Sequence, residues 1–545
     1  MMNSPLRSAV IFGLVCCLGL GISFRFVNLD LKAYSYDEAI TSLRISGYRW
    51  QAAVAQFDGQ SVLSVAQLIE RYQSVHADRG VGASVLGLAQ EESQLTPLYF
   101  ALVRVWAQLV GDSVAAVRSF SAVLSVITLG LLYRLSKRLF QDSLMTLMVV
   151  AIASVSPFLV LYAQDARPYS LLALVTVLSA EALLNALSRN TGLAWSLYCL
   201  SAVTGLYTHL LFAPVLVGHS LYVIGISVVK KTNRSTHLVL LWRFGTSLGM
   251  AIAALTPWLW LMQRYPGPVA ARVGSSLANG KDLLSGLFSL MRFSTRSLLD
   301  AHWAGGVLQV NPSWLKTSVQ GIAAVVIVSL IAAACYRLWD RTSFSRWGII
   351  LLPALITLLA LWLKAALTER YLLVYFVTLP IALGYFLTHN LRNDPTRRNL
   401  WLGVISLVLI AGIYSNAISA RAMLWSIKYP SSTAQNVGVA AFLNQAESPC
   451  LIVYQAPRQA AFGKSGEDKF GRLLSLSHWL DPAIAIDLLN APEQVTFAPS
   501  CQNHYVYLPS PFLDKAVRAQ GYELKPIDNI APIDLQQMIR KNSSG

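Results

Sequence analysis

Two carboxylates stand side by side just after the first apolar run of the chain, in Tyr34-Ser35-Tyr36-Asp37-Glu38. A charged side chain at a membrane boundary is costly unless water, a metal or a cation compensates it, so the pair is a candidate for general-base catalysis or metal binding. The competing reading is a helix cap, because acidic residues are favoured in first turns. Other polar groups sit at the ends of apolar segments: Glu91, Glu92 and Gln94; Asp165 and Arg167; His209; and Glu369 with Arg370. An arginine in such a place offers a planar, permanently charged fork suited to phosphate. A histidine there can ligate a metal or act as a base, although a lone one is more often structural.

The elements that must hold these residues are membrane spans. Of 545 residues 55% are hydrophobic and only 13% charged, about half the charge of an ordinary soluble domain, which makes this a polytopic α-helical membrane protein. The net charge of +16 lies largely in short links between apolar runs, where Lys and Arg act as topology anchors, so no nucleic-acid partner is expected. Runs of about 20 residues, enough for roughly 30 Å of hydrocarbon, fall near 8–28, 114–134, 143–163, 168–188, 193–210, 211–229, 244–262, 318–338, 348–367, 371–388 and 400–419, eleven spans in all. With the N-terminus cytoplasmic, the basic links Arg134 to Arg138, Ser188 to Asn190, Lys230 to Arg234, Arg337 to Arg346 and Arg392 to Arg398 share the cytoplasmic side. That layout puts all the polar groups named above on the other face, in a plasma (inner) membrane protein whose first segment is a retained anchor.

The external link 29–112 contains an apolar stretch, Pro97 to Val110, that is short and interrupted by Arg104, and it reads as an amphipathic interfacial helix. A second external link spans 263–316. From residue 421 to 545 the apolar runs shrink to strand length, as in Leu451 to Tyr454 and Tyr505 to Leu508, which predicts a small extracytoplasmic α/β domain after a membrane domain of residues 1–420. Cys450 and Cys501 each precede one of those strands, so a disulfide in an oxidising compartment is an open alternative to free thiols. Glu181 and Lys364 are the obvious ionisable groups within spans, and no internal repeat is visible, which argues against a transporter.

The order of these features resembles the GT-C membrane glycosyltransferases. One anchor, an external Asp-Glu, a Pro-Leu-Tyr helix followed by Val-Gly-Asp-Ser and Arg118, then Ser156-Pro157, Ala166-Arg167-Pro168-Tyr169, Tyr207-Thr208-His209 and Glu369-Arg370-Tyr371 are similar to the bacterial branch related to protein O-mannosyltransferases and the lipid A aminoarabinose transferase (glycosyltransferase family 39-like). The resemblance covers roughly residues 8–420 and leaves out the tail. It implies transfer of a sugar from a polyprenyl-phosphate donor to an envelope acceptor at the outer membrane face, usually with inversion. It also implies that the acid of the first external loop, here Asp37 with Glu38 beside it, deprotonates the acceptor or helps hold a metal. The family's His-Pro-Pro or acid-Lys-Pro element is replaced by Leu95-Thr96-Pro97, with Glu92 the nearest acid.

Chemistry on its own terms agrees. A phosphodiester-linked sugar has a good leaving group, so it needs a base on the acceptor and cations on the phosphate; Asp37 would be the first, Arg370 and Arg167 the second. A divalent ion is a further option, with His209 or Glu92 as ligands or acceptor contacts. Asp37 and Glu38 face different sides of a helix, which favours single displacement over a covalent retaining route. The alternatives are a flippase for a lipid-linked saccharide and a non-catalytic envelope assembly protein.

Overall fold

Long apolar segments in lipid must close their backbone hydrogen bonds internally, and here they do so as helices. The computed structural model describes residues 4–57, 62–229, 234–265, 283–300, 314–363, 368–424, 432–456, 468–495 and 501–541. An anchor helix, α1 (Ser4–Phe24), leads into a first link that carries α2 (Tyr36–Ile45), α3 (Trp50–Val54), α4 (Val65–Gln73), α5 (Val81–Glu91) and α6 (Leu98–Val110). The bundle continues through α7 (Val114–Phe140), α8 (Ser143–Val155), α9 (Pro157–Ala163), α10 (Tyr169–Arg189), α11 (Gly192–Thr208), α12 (Ala213–Val229) and α13 (Arg234–Arg264). Helices Trp314–Arg341, Phe344–Leu363, Leu373–Asn393 and Arg398–Arg421 complete it.

Among the described residues nine helices are long and apolar enough to cross a membrane, ten if α8 and α9 form one bent span. The eleventh expected run, near 193–210, folds as the 17-residue α11, short for a span but within the range that crosses a bilayer. It stops where His209 adopts an extended backbone and its side chain accepts a hydrogen bond from the Leu211 amide, opening the short turn Leu210–Phe212. The 61° bend between α8 and α9 follows from Ser156-Pro157. A residue before proline avoids helical geometry, whereas proline itself is favoured in a first turn. Helix crossings are close where side chains vanish: a Cβ on Gly21 would collide with the Ser154 carbonyl, and one on Gly384 would collide with Val149.

The link helix α6 has 13 residues, too few to cross. It buries Tyr99, Phe100, Val103 and Ala107 and exposes Leu102, Val105 and Leu109 on its other face. Arg104, the charge that interrupts it, points inward and donates to the carbonyls of Ile45, His76 and Arg79, closing the end of α2. At the far end of the bundle Arg392 pairs with Asp142, Arg138 with Glu181 at 3.2 Å, and Arg243 donates to the Asn190 carbonyl, so three of the basic links meet at one end. Lys364, Lys230 to Asn233 and most of the second link lie outside the described residues. Within that link the helix Leu283–Arg296 is described.

The tail forms a six-stranded sheet in the order β1-β3-β2-β4-β6-β5. These strands are β1 (Val62–Ser64), β2 (Pro449–Tyr454), β3 (Ala485–Leu489), β4 (Asn503–Tyr507), β5 (Tyr522–Pro526) and β6 (Leu535–Arg540). The three central strands β3, β2 and β4 are parallel, and β1, β6 and β5 run antiparallel to their neighbours. Cys450 and Cys501 are joined as a disulfide, with Cα atoms 5.6 Å apart. The edge strand β1 belongs to the first link, not to the tail. The apolar core is shared in the same way: Tyr34, Leu43, Trp50 and Leu68 from the link pack with Leu451, Phe470, Leu474 and Tyr505 from the tail.

Phe470 sits in that joint, with its ring centroid 5.0 Å from that of Phe57 and 5.4 Å from that of Tyr72. Phe470→Ala should therefore cost about 3–5 kcal/mol. It should also open the link between residues 34 and 73 to proteolysis in detergent-purified protein, although no residue of the link has been changed. Protection equal to that of the parent would show that the link holds its shape without the tail.

Candidate active site

Asp37 and Glu38 start α2, and the local sequence explains how. Ser35 is its N-cap; its hydroxyl accepts from the Glu38 amide while the Glu38 carboxylate accepts from the Ser35 amide, a reciprocal capping box. The two neighbours then diverge. Glu38 is buried, 1% exposed. It takes two parallel hydrogen bonds from Arg118, Nε to Oε1 at 2.8 Å and Nη2 to Oε2 at 2.9 Å. Its carboxylate also accepts from the Ala166 amide at 3.0 Å and from the Ser35 hydroxyl. Arg118 is itself fully buried and donates onward to the carbonyls of Leu29, Lys32 and Ala33. Glu38, expected to be catalytic, is therefore committed to an ion pair that fastens the first link to α7 and to the turn after α9.

Asp37 faces outward. Arg370 donates from Nη1 to its Oδ2 at 2.7 Å, with the two side chains 34% and 19% exposed. Arg167 donates to the Asp37 carbonyl at 3.1 Å and to the Thr41 hydroxyl at 3.2 Å. The guanidinium of Arg167 lies 5.9 Å from the Phe100 ring centroid and that of Arg370 lies 5.3 Å from Tyr371, so both cations lean on aromatic faces. Asp165 is fully buried beneath the same turn, and the Gln164 amide ties that turn to the carbonyls of Phe24 and Val27. Residues 333 positions apart in the chain thus meet at one acidic-basic pair.

His209 lies nearby, its ring centroid 6.0 Å from that of Tyr169 and 6.3 Å from that of Tyr371. Withdrawal from water, reinforced by Arg167 and Arg370, brings its imidazolium down to about 3, so it is a neutral ring at physiological pH. Glu92 is not brought to Asp37 as a ligand; Arg44 donates to it at 2.9 Å and also to Glu91, which in turn caps the amides of Trp50 and Gln51. Among the described residues the one close group of three side chains of metal-ligating type is Cys450, Cys501 and His504 in the tail, and its two cysteines are taken up by the disulfide. Glu92 and His209 do not fit a metal centre at Asp37, since one is held by a guanidinium and the other is flanked by two.

Three further groups matter to the site, two of them with a sequence signal. Arg118 is an arginine four residues into an apolar helix, a type of position that marks function or a buried partner. Glu369 is paired with Arg296 at 3.3 Å, which attaches the helix Leu283–Arg296 beside Arg370. Asp468 has no signal at all. It is fully buried and accepts from the Tyr36 hydroxyl at 2.5 Å, from Trp50 Nε1 at 2.9 Å and from the Gly471 amide at 2.8 Å. Burial raises its carboxyl above the usual range, against the pull of those donors. The residue immediately before Asp37 is thereby fixed by the tail.

A helical bundle with a six-stranded sheet over one end is the fold of the GT-C membrane glycosyltransferases, and the chain is a multi-pass membrane protein. Residues 94–260 match the family described as dolichyl-phosphate-mannose-protein mannosyltransferase, a segment that contains Arg118, Arg167 and His209 but neither Asp37 nor Arg370. Among solved structures the chain is similar to ArnT from Cupriavidus metallidurans bound to undecaprenyl phosphate, with 12% identity, 97% of this chain and 98% of that one covered, and a TM-score of 0.53. The apo state of the same ArnT gives 11% identity over the same coverage and 0.52. The oligosaccharyltransferase of Archaeoglobus fulgidus gives 13% identity and 0.46; this chain covers 65% of that protein's length. No curated protein sequence matches the chain. The structural likeness to ArnT includes the tail from Ala420, which the sequence resemblance leaves out.

The two carboxylates should respond differently to neutralisation. Glu38→Gln leaves Arg118 buried without its counter-charge, a loss of about 3–5 kcal/mol, and should lower thermal stability sharply. Asp37→Asn, at a partly exposed pair, should shift stability by about 1 kcal/mol or less. For His209 the folded protein binds fewer protons than the unfolded chain between pH 6.5 and about 3. Its contribution to stability is therefore complete above pH 6.5 and lost as pH falls through that window. His209→Gln should flatten that part of the acid-stability curve.

Proposed function

We propose that the protein is a glycosyltransferase that moves a sugar from a polyprenyl-phosphate carrier to an envelope acceptor at the extracytoplasmic membrane face, with inversion. The observation that carries this reading is the partly exposed Asp37–Arg370 pair at 2.7 Å, one group suited to an acceptor proton and the other to a carrier phosphate. A phosphate arriving at Arg370 competes with Asp37 for the same guanidinium. As the phosphate takes the cation, the Asp37–Arg370 pair weakens and Asp37 becomes the stronger base, so donor binding and base activation are coupled. Arg167, held through the Asp37 carbonyl and Thr41, adds positive potential where negative charge develops on the leaving phosphate. Glu38 is held by Arg118 and cannot supply the second carboxylate of a double-displacement route, which supports a single inverting step. The basic links at the far end of the bundle support an N-terminus in the cytoplasm and a tail outside, in the plasma (inner) membrane.

The test is transfer of label from radiolabelled polyprenyl-phosphate sugars to crude envelope acceptor by purified protein. Asp37→Asn should lower turnover about 100-fold or more while retaining carrier binding, the usual loss of a general base. Arg370→Gln should weaken carrier binding itself, and wild-type turnover should persist in EDTA. Full activity of Asp37→Asn would refute the assignment, and label crossing the bilayer without transfer would make the protein a flippase.

A further inference from the structure

At the end of the bundle opposite Asp37, α7, α10 and α11 enclose a groove of about 540 Å³, within the size range of small-ligand sites. Glu181 lies 12 residues beyond Tyr169 along α10, about 18 Å by helix rise, so the groove is separate from the candidate active site. Its mouth carries Arg134, Arg138 and Arg189, three guanidinia against the single carboxylate of Glu181. Only Arg138 is firmly held: it donates to Glu181 at 3.2 Å, to the Leu184 carbonyl at 2.9 Å and to the Ser188 hydroxyl at 2.8 Å. Arg134 is 69% exposed and reaches Glu181 at 4.0 Å, and Arg189 is exposed with no ion pair among the described residues. Further from the mouth the walls are Leu178, Leu197 and Leu200, the last two 47% and 61% exposed, with Ser201 and Thr204, whose hydroxyls donate to the carbonyls of Tyr198 and Leu200 on their own helix.

A cationic mouth over an apolar trough matches one chemistry, a phosphate ester carrying hydrocarbon. The depth of the mouth agrees: the neighbouring link is pinned by Arg243 on the Asn190 carbonyl, and Trp242 beside it is 69% exposed, as indoles are at head-group level. We propose that this groove binds an anionic phospholipid of the leaflet at the basic end. The phosphate sits among Arg134, Arg138 and Arg189, and an acyl chain lies along Leu178, Leu197 and Leu200. The occupant clamps the ends of the three helices whose other ends carry Arg118, Arg167 and His209.

The test uses delipidated full-length protein in detergent, re-supplied with dioleoyl phosphatidylglycerol or dioleoyl phosphatidylcholine and read by native mass spectrometry. The parent should retain phosphatidylglycerol about tenfold better. The double change Arg134→Gln/Arg189→Gln, at two exposed positions that leave the fold alone, should remove that preference. Leu197→Trp, which fills the trough with the charges intact, should lose the lipid as well, and Arg341→Gln, a basic residue outside the groove, should keep it. Equal retention of the two lipids, or a loss in Arg341→Gln matching that of the double change, would overturn the site in favour of a diffuse basic belt. Displacement by glycerol phosphate with retention in Leu197→Trp would overturn it in favour of a bare anion site.

Discussion

Everything at the candidate active site hangs on one buried ion pair, Glu38 with Arg118. Removing two charges from water costs several kcal/mol each, and attraction offsets that only when the remaining donors and acceptors are also satisfied. Here they are: the carboxylate collects the Arg118 fork, two groups of Ser35 and the Ala166 amide, and the guanidinium takes three carbonyls of the first link. One pair thus fixes the link, α7 and the turn carrying Arg167 in a single geometry. Adjacent residues on a helix point about 100° apart, so locking Glu38 inward forces Asp37 outward toward Arg370. The anchoring acid and the acid proposed to react are chain neighbours because the first aims the second.

Much of this architecture is legible in the amino-acid sequence, because membranes impose a simple rule on apolar runs. The spans and the α/β tail follow from run length and strand-sized apolar segments, whereas the bend at Ser156-Pro157 falls inside a run that reads as one span, 143–163. Asp37, Arg167, His209 and Arg370 stand out because ionisable groups beside spans are rare. Their division of labour is not legible in the same way. Nothing in Asp37-Glu38 says which of the two is buried, since that depends on Arg118, which arrives from eighty residues away. Glu92 reads as a ligand only as long as Arg44, which holds it, is left out of account. Asp468 is invisible for the same reason, its meaning residing wholly in Tyr36 and Trp50, more than four hundred positions earlier. The end of α11 is likewise set by a histidine cap that run length does not reveal.

The tail likewise changes meaning once its contacts are known. Strand-helix alternation after residue 420 suggests an appended domain, yet its helix Lys469–Leu476 lies against α2, with Ser475 donating to the Tyr34 carbonyl and Gln73 donating to Leu474 and Ser477. His478 joins the same seam through Gln73 at 2.8 Å, and burial near Arg118 brings its imidazolium down to about 4. A deletion of the tail therefore cannot separate catalysis from binding, because the helix that presents Asp37 shares its hydrophobic core with the segment removed.

The 432-residue separation of Tyr36 from Asp468 also has a bearing on how the molecule comes into being. The link leaves the ribosome well before its partner helix, and contacts so distant in sequence form late because the intervening chain must be ordered before they are rewarded. During synthesis α2 has neither its hydrophobic cover nor the acid that receives Tyr36 and Trp50. The face that carries Asp37 is thus completed only when the helix Lys469–Leu476 has been translated, so a nascent chain that lacks it presents Asp37 without that support.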